Sequence, residues 1–162
     1  MDYFEFSIRM EKDAEALYRS IAERVSSPGT SKVLQLLAED EVRHRKNIEL
    51  LRNKTKMTEF EGSALKIKTV FEEMKANIES EQNQKDLIDE YRKALEIETK
   101  GIEYYKQQFE NITDENSKKL FRLLMRQETY HRKTIANLIE MIEKPAWWVE
   151  NAEFNPEGDS YY

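Results

Sequence analysis

The sequence predicts an all-α fold: an antiparallel four-helix bundle of two helical hairpins joined by one long crossover. Three observations carry this. Apolar residues recur with the helical period along four long segments. The 162 residues hold only 4 Gly and 3 Pro, so few positions interrupt a helix. The second half also repeats the first at a fixed offset of 87 residues (98 − 11), as two duplicated hairpins would.

The first helix is expected over residues 3–26, with Phe4, Ile8, Ala14, Tyr18, Ile21 and Val25 as its apolar stripe. Ser26-Ser27-Pro28-Gly29 ends it, and Thr30 or Ser31 is expected to cap the next. The second helix, 31–53, carries Leu34, Leu37, Glu41, His44, Ile48 and Leu51 in alternating steps of three and four, the seam of a bundle. A connection over 54–83 follows. Leu65, Ile67, Val70, Phe71, Met74 and Ile78 form an amphipathic stretch there, read as a short helix after Ser63. The third long helix, 84–111, has the stripe Leu87, Tyr91, Leu95, Glu98, Ile102, Tyr105 and Phe109. The fourth, 116–143, has Phe121, Leu124, Glu128, His131, Ile135, Leu138 and Ile142, and Pro145 stops it. One long connection makes the second and third long helices run parallel, a known bundle topology. Residues 1–143 are thus one bundle, and 144–162 a short, irregular aromatic tail.

At the 87-residue offset, residues 2–53 align without a gap and 13 of 52 pairs are identical. Similar composition explains shared Leu and Lys. It does not explain why both His residues of the chain, His44 and His131, fall in register.

Composition narrows the function classes. Zero Cys excludes disulfides, thiolate catalysis, iron–sulfur clusters and Cys-ligated zinc, and suits a cytoplasmic setting. No apolar run approaches the ~18 residues of a membrane span, and no secretion leader is read. The net charge is −6 with basic residues spread along the chain, so nucleic acid is not an expected partner.

The chemistry lies in the stripes. Each His has a Glu three residues earlier, in Glu41-Val42-Arg43-His44 and Glu128-Thr129-Tyr130-His131. That spacing puts both groups on one helix face, one turn apart. Glu11 and Glu98 interrupt the apolar stripes of the other two long helices. Four carboxylates and two imidazoles should therefore point into the bundle. Unpaired, they would cost several kcal/mol each, and no Lys or Arg lies on these stripes. Two divalent cations neutralise four carboxylates. One Glu from each of two helices plus Glu-x-x-His from the other two is a di-iron or di-manganese arrangement. Iron and manganese suit the donor set, and zinc or cobalt can also bind. The alternatives are a structural zinc, or protonated Glu paired with neutral His in a polar layer.

Glu11, Tyr18, Glu41-x-x-His44, Glu98, Tyr105 and Glu128-x-x-His131 resemble the ferritin-like di-iron carboxylate proteins, most closely the rubrerythrins, over residues 3–143. The resemblance implies a centre of two iron ions, with a manganese or mixed-metal centre possible. Tyr18 and Tyr105, seven residues after Glu11 and Glu98, would then hydrogen-bond to ligand carboxylates. It implies a peroxidase: a non-haem oxidoreductase reducing hydrogen peroxide, with dioxygen the alternative oxidant. The electrons would come from an external donor such as a rubredoxin, and the assembly would be a homodimer. Ferroxidase activity with iron storage or detoxification is the second reading, and a metal-stabilised redox sensor or binding module the third.

Three departures stand out. The chain has no Cys for a rubredoxin-like relay. Gly101 stands where rubrerythrins often have a further carboxylate, and Val42 where bacterioferritins have a haem-ligand Met, which argues against haem. Gly101 itself reads two ways: close helix packing, matching Ala14 in the first half, or room beside the metals. Glu15 is read as solvated at the stripe's edge, and Tyr130 as packing. Trp147, Trp148, Phe154, Tyr161 and Tyr162 are read as packing over a bundle end or a partner subunit, with a redox wire as the alternative.

Overall fold

The computed structural model describes residues 2–58, 62–78 and 85–154. These form α1 (Tyr3–Arg24), α2 (Pro28–Arg52), α3 (Ala64–Ala76), α4 (Ile88–Asn111), α5 (Glu115–Glu143) and α6 (Pro145–Asn151), with a 3-10 turn at Lys85–Leu87 leading into α4. No strand occurs among the described residues.

The long helices are the expected bundle. α1 packs along α2 and α4 along α5, as two hairpins. Cross-hairpin hydrogen bonds fix the directions. Tyr18 meets Glu98 while Tyr105 meets Glu11, so α1 and α4 are antiparallel. His131 meets Asp40 while His44 meets Gln127, so α2 and α5 are antiparallel too. With each hairpin antiparallel, α2 and α4 run parallel, and the crossover carries the chain back along the bundle. Among the described residues no helix is long and apolar enough to cross a membrane.

Several local expectations are corrected. The helix break near residue 27 is tighter than the sequence suggested. Ser27, not Thr30 or Ser31, caps α2, its Oγ accepting from the Thr30 N–H at 3.1 Å. Pro28 takes the first helical position, where its fixed φ is favourable and its missing N–H costs nothing. On α5 the cap is Asp114, which accepts from Ser117 N at 2.8 Å. In the crossover, Ile67, Phe71 and Met74 are buried as expected, but Leu65 is 63% exposed.

The tail is not irregular throughout. The chain breaks at Lys144, and Pro145 starts α6 instead of only ending α5. Trp148 is fully buried, its indole N–H donating to Asn137 Oδ1 at 3.2 Å. Phe71 of α3 packs against both Trp148 (centroids 5.9 Å apart) and Phe154 (4.7 Å), which also touch each other (5.5 Å). The described part of the tail thus clamps the crossover helix onto the bundle. Trp147 is half exposed, and Tyr161 and Tyr162 lie outside the described residues.

Two apolar clusters fill the interior. One gathers Tyr18, Ile21, Leu34, Leu37, Tyr91, Ile135, Leu138 and Trp148. The other gathers Ile8, Ile48, Tyr105, Phe121, Leu124 and Met125. On each long helix the stripe passes from one cluster to the other across the Glu and His positions, so a polar layer crosses the middle of the core.

Candidate metal centre

The structure brings Glu11, Glu41, His44, Glu98, Glu128 and His131 together in this layer. All six are buried, none more than 4% exposed. Their ligand atoms form two overlapping groups. Glu11, Glu41, His44 and Glu128 make one; Glu41, Glu98, Glu128 and His131 make the other. Within each, the donor atoms lie within 4.8 Å of one another. Glu41 and Glu128 belong to both groups. The two imidazole rings stack with centroids 5.5 Å apart and planes 17° from parallel.

His44 Nδ1 lies 3.0 Å from Glu128 Oε1 and 3.2 Å from Glu11 Oε2, but other donor atoms are left unpaired. Glu41 Oε1 and Oε2, Glu98 Oε2 and His131 Nδ1 are buried without a hydrogen-bond partner. His131 Nδ1 is only 2.7 Å from Glu41 Oε1 but is not aligned to bond it. Buried polar atoms are nearly always satisfied, and four orphans in one cluster are what two cations between the groups would satisfy. The residues present fit a pair of divalent metal ions.

Protonation tells the same story. Burial pushes each carboxyl up, yet Glu11 is held at about 2, because the His44 charge and the hydrogen bonds with His44 and Tyr105 outweigh burial. Glu98 is also lowered: against burial stand the nearby His131 charge and the Tyr18 hydrogen bond. Burial and the like charges of Glu11 and Glu98 lift Glu41 to about 8. Burial and the charges of Glu41, Glu98 and Glu11 lift Glu128 well above the carboxyl range. Burial disfavours charged imidazoles, but Glu11 beside His44 and Glu41 beside His131 hold both well above the usual histidine range. Glu41, Glu128 and both imidazoles are thus shifted toward holding protons, which a metal ion would displace.

Around the six lies a ring of supporting groups. Each phenol bonds across the bundle: Tyr18 O–H donates to Glu98, and Tyr105 O–H donates to Glu11. The partner of each Tyr is thus the Glu of the opposite hairpin, not the one seven residues before it. Burial and the adjacent carboxylate charges raise both phenols further above their ordinary value, so both stay protonated donors.

Two groups were not singled out from the sequence. Asp40 Oδ2 lies 3.0 Å from His131 Nε2, and Gln127 Oε1 bonds His44 Nε2. Both sit one residue before their own helix's Glu-x-x-His and reach the His of the other hairpin. Their shared register, 127 − 40 = 87, was the available signal.

The remaining candidates sort cleanly. Glu15 lies at the rim, paired with Arg45 at 2.8 Å and Arg19 at 3.0 Å. Tyr130 donates to the Ala64 carbonyl at 3.1 Å and pins the start of α3. Gly101 is buried, yet a Cβ placed on it would meet no heavy atom within 4 Å. Close helix packing therefore does not explain it; it leaves open space one turn from Glu98.

The family model for rubrerythrin matches residues 2–139, which contain α1, α2 and α4, most of α5 and all six donors. Comparison with curated proteins and with solved structures gives no match.

Proposed function

The chain belongs to the rubrerythrin family, and from that premise we propose that it is a di-iron oxidoreductase that reduces hydrogen peroxide to water with electrons from an external donor. The observation that carries this reading is the pair of overlapping donor groups sharing Glu41 and Glu128. Peroxide cleavage takes two electrons and two protons (H2O2 + 2H⁺ + 2e⁻ → 2H2O), and two adjacent ferrous ions supply one electron each.

In this reading Glu11 and His44 would hold one ion, Glu98 and His131 the other, and Glu41 and Glu128 would be shared by both. Tyr18 and Tyr105 fix the orientation of Glu98 and Glu11 and keep a phenolic proton at each carboxylate. Asp40 and Gln127 accept from the two Nε2–H groups, which turns each Nδ1 inward in the tautomer that can bind a metal. Apolar clusters on either side of the layer limit the water that reaches it. These 162 residues contain no Cys, so the returning electrons must come from outside them; a rubredoxin-type protein is the donor proposed.

The test is to load the protein anaerobically with Fe(II) and follow its oxidation in stopped flow by hydrogen peroxide and by dioxygen at equal concentration. Peroxide should react at least about tenfold faster, a barrier difference of about 1.4 kcal/mol. An equal or faster reaction with dioxygen would overturn the peroxidase reading in favour of ferroxidase chemistry. No reaction with either would overturn both.

A further inference from the structure

The two halves of the centre are matched in their donors and mismatched one step further out. Residues 40 and 127 are equivalent in the repeat and do the same job, accepting the outward Nε2–H of the opposite hairpin's His. One is a carboxylate and the other a neutral amide. Asp40 is buried, 1% exposed, and tightly held. Ser63 N–H reaches its two oxygens at 3.0 and 3.1 Å, Ser63 Oγ is 2.9 Å from Oδ1, and Arg43 Nη1 is 2.6 Å from Oδ1. Gln127 is braced by the neighbouring residue of the crossover: a Cβ at Gly62 would lie 3.2 Å from its amide nitrogen.

A carboxylate accepting from an imidazole N–H makes the other ring nitrogen a stronger donor than an amide acceptor does, and such outer partners typically change metal affinity by about 10–100-fold. Asp40 also adds a negative charge in a low-dielectric setting, where it acts strongly on a nearby cation. Arg43 opposes that charge from a position about a third exposed to solvent, where water screens it.

We infer that Asp40 and Gln127 make the two metal positions unequal, so that the position of Glu98 and His131 takes a divalent cation first and the position of Glu11 and His44 fills second. Asp40 is then a positioning residue acting through His131. The inference rests on the di-metal reading above. It concerns the order and tightness of loading, which the oxidation experiment does not measure.

The test uses the metal-free full chain and Mn(II), titrated anaerobically and followed by electron paramagnetic resonance. Isolated bound Mn(II) and a coupled pair give different spectra. The wild type should pass through a single-ion species near one equivalent before the pair signal appears. Repulsion between the ions also separates two steps, so variants decide. Asp40→Asn should weaken the first step about 10–100-fold and bring the steps together. Gln127→Glu should tighten the second step and leave the first unchanged.

A purely structural role for Asp40 would lower the melting temperature of the metal-free protein and weaken both steps alike. That result, or an Asp40→Asn titration that superimposes on wild type, overturns the inference. Should Asp40→Asn fail to fold, Gln127→Glu still decides, because an unchanged second step contradicts the proposal. Two ions bound in variant-insensitive steps would sink this inference alone. No Mn(II) binding at all would sink the di-metal reading with it.

Discussion

The hairpin α1–α2 and the hairpin α4–α5 agree where they face the centre and differ just behind it. Glu11, Tyr18, Glu41 and His44 have identical counterparts in Glu98, Tyr105, Glu128 and His131. Behind them, Asp40 faces Gln127 in the repeat, Ala14 faces Gly101, and Glu15 with its Arg45 partner faces Ile102. The comparison teaches that the donors are fixed in pairs because each half completes the other. Glu41 and Glu128 serve both groups, and each Tyr bonds the opposite hairpin's Glu. The supporting residues differ without disturbing that pairing: Asp40 bonds His131 and Gln127 bonds His44, one donor each.

The strongest way to break the comparison is to remove a shared carboxylate. Glu41→Gln and Glu128→Gln should each cost both metal positions, with an affinity loss exceeding the ~10–100-fold of an outer partner. The two variants should behave alike in a metal titration read by elemental analysis of the desalted protein. If one kept both ions, the bridging assignment would be wrong for that residue.

Proton release is the next largest effect. In the metal-free state Glu41 and His44 from one hairpin and Glu128 and His131 from the other are all shifted toward holding protons. Metal must displace them, so binding tightens as pH rises toward the Glu41 value of about 8 and weakens as pH falls. Calorimetry near pH 7 in buffers of differing ionisation enthalpy should show net proton release on metal binding. Release near zero would mean the cluster is already fully ionised.

A smaller, symmetrical effect is expected at the phenols. Tyr18→Phe and Tyr105→Phe each leave a buried carboxylate oxygen without its donor, at about 1–3 kcal/mol. Urea unfolding of the metal-free variants should give similar losses for both. A large loss in one alone would show that the halves differ at the phenols as well as behind them.

The smallest effect separates Ala14 from Gly101. Gly101→Ala puts a methyl into open space and removes a mid-helix glycine, so it should stabilise by about 1 kcal/mol and raise Tm by ~2–4 °C. Ala14→Gly should destabilise by at least as much. A destabilising Gly101→Ala, seen in the same thermal scans, would mean the space is needed by the fold.

What the sequence could tell follows the same division. Glu and His stand out on an apolar stripe, and the repeat doubles the signal, so the bundle and the six convergent residues were readable without coordinates. Asp40 and Gln127 lie off the stripes, and their partners belong to the other hairpin. Their role emerges only once α2 and α5 are set antiparallel at close range. The crossed Tyr partners likewise depend on α1 and α4 lying side by side. Neither was visible in the i, i+7 spacing. Pro145 was legible as a break but not as the first residue of α6, because proline both ends one helix and suits the start of another. The buried Trp148 depends on α3 coming to rest beneath it, a contact between distant segments that local pattern does not encode.

The central claim is that Glu41 and Glu128 hold two metal ions in common. The most direct measurement is to load the metal-free protein with Fe(II) under anaerobic conditions, count iron per chain, then oxidise it and record its Mössbauer spectrum in a strong field. Two irons per chain with the coupled, diamagnetic ground state of ions bridged by shared ligands is the predicted result. One iron per chain, or two magnetically independent ferric ions, would contradict it.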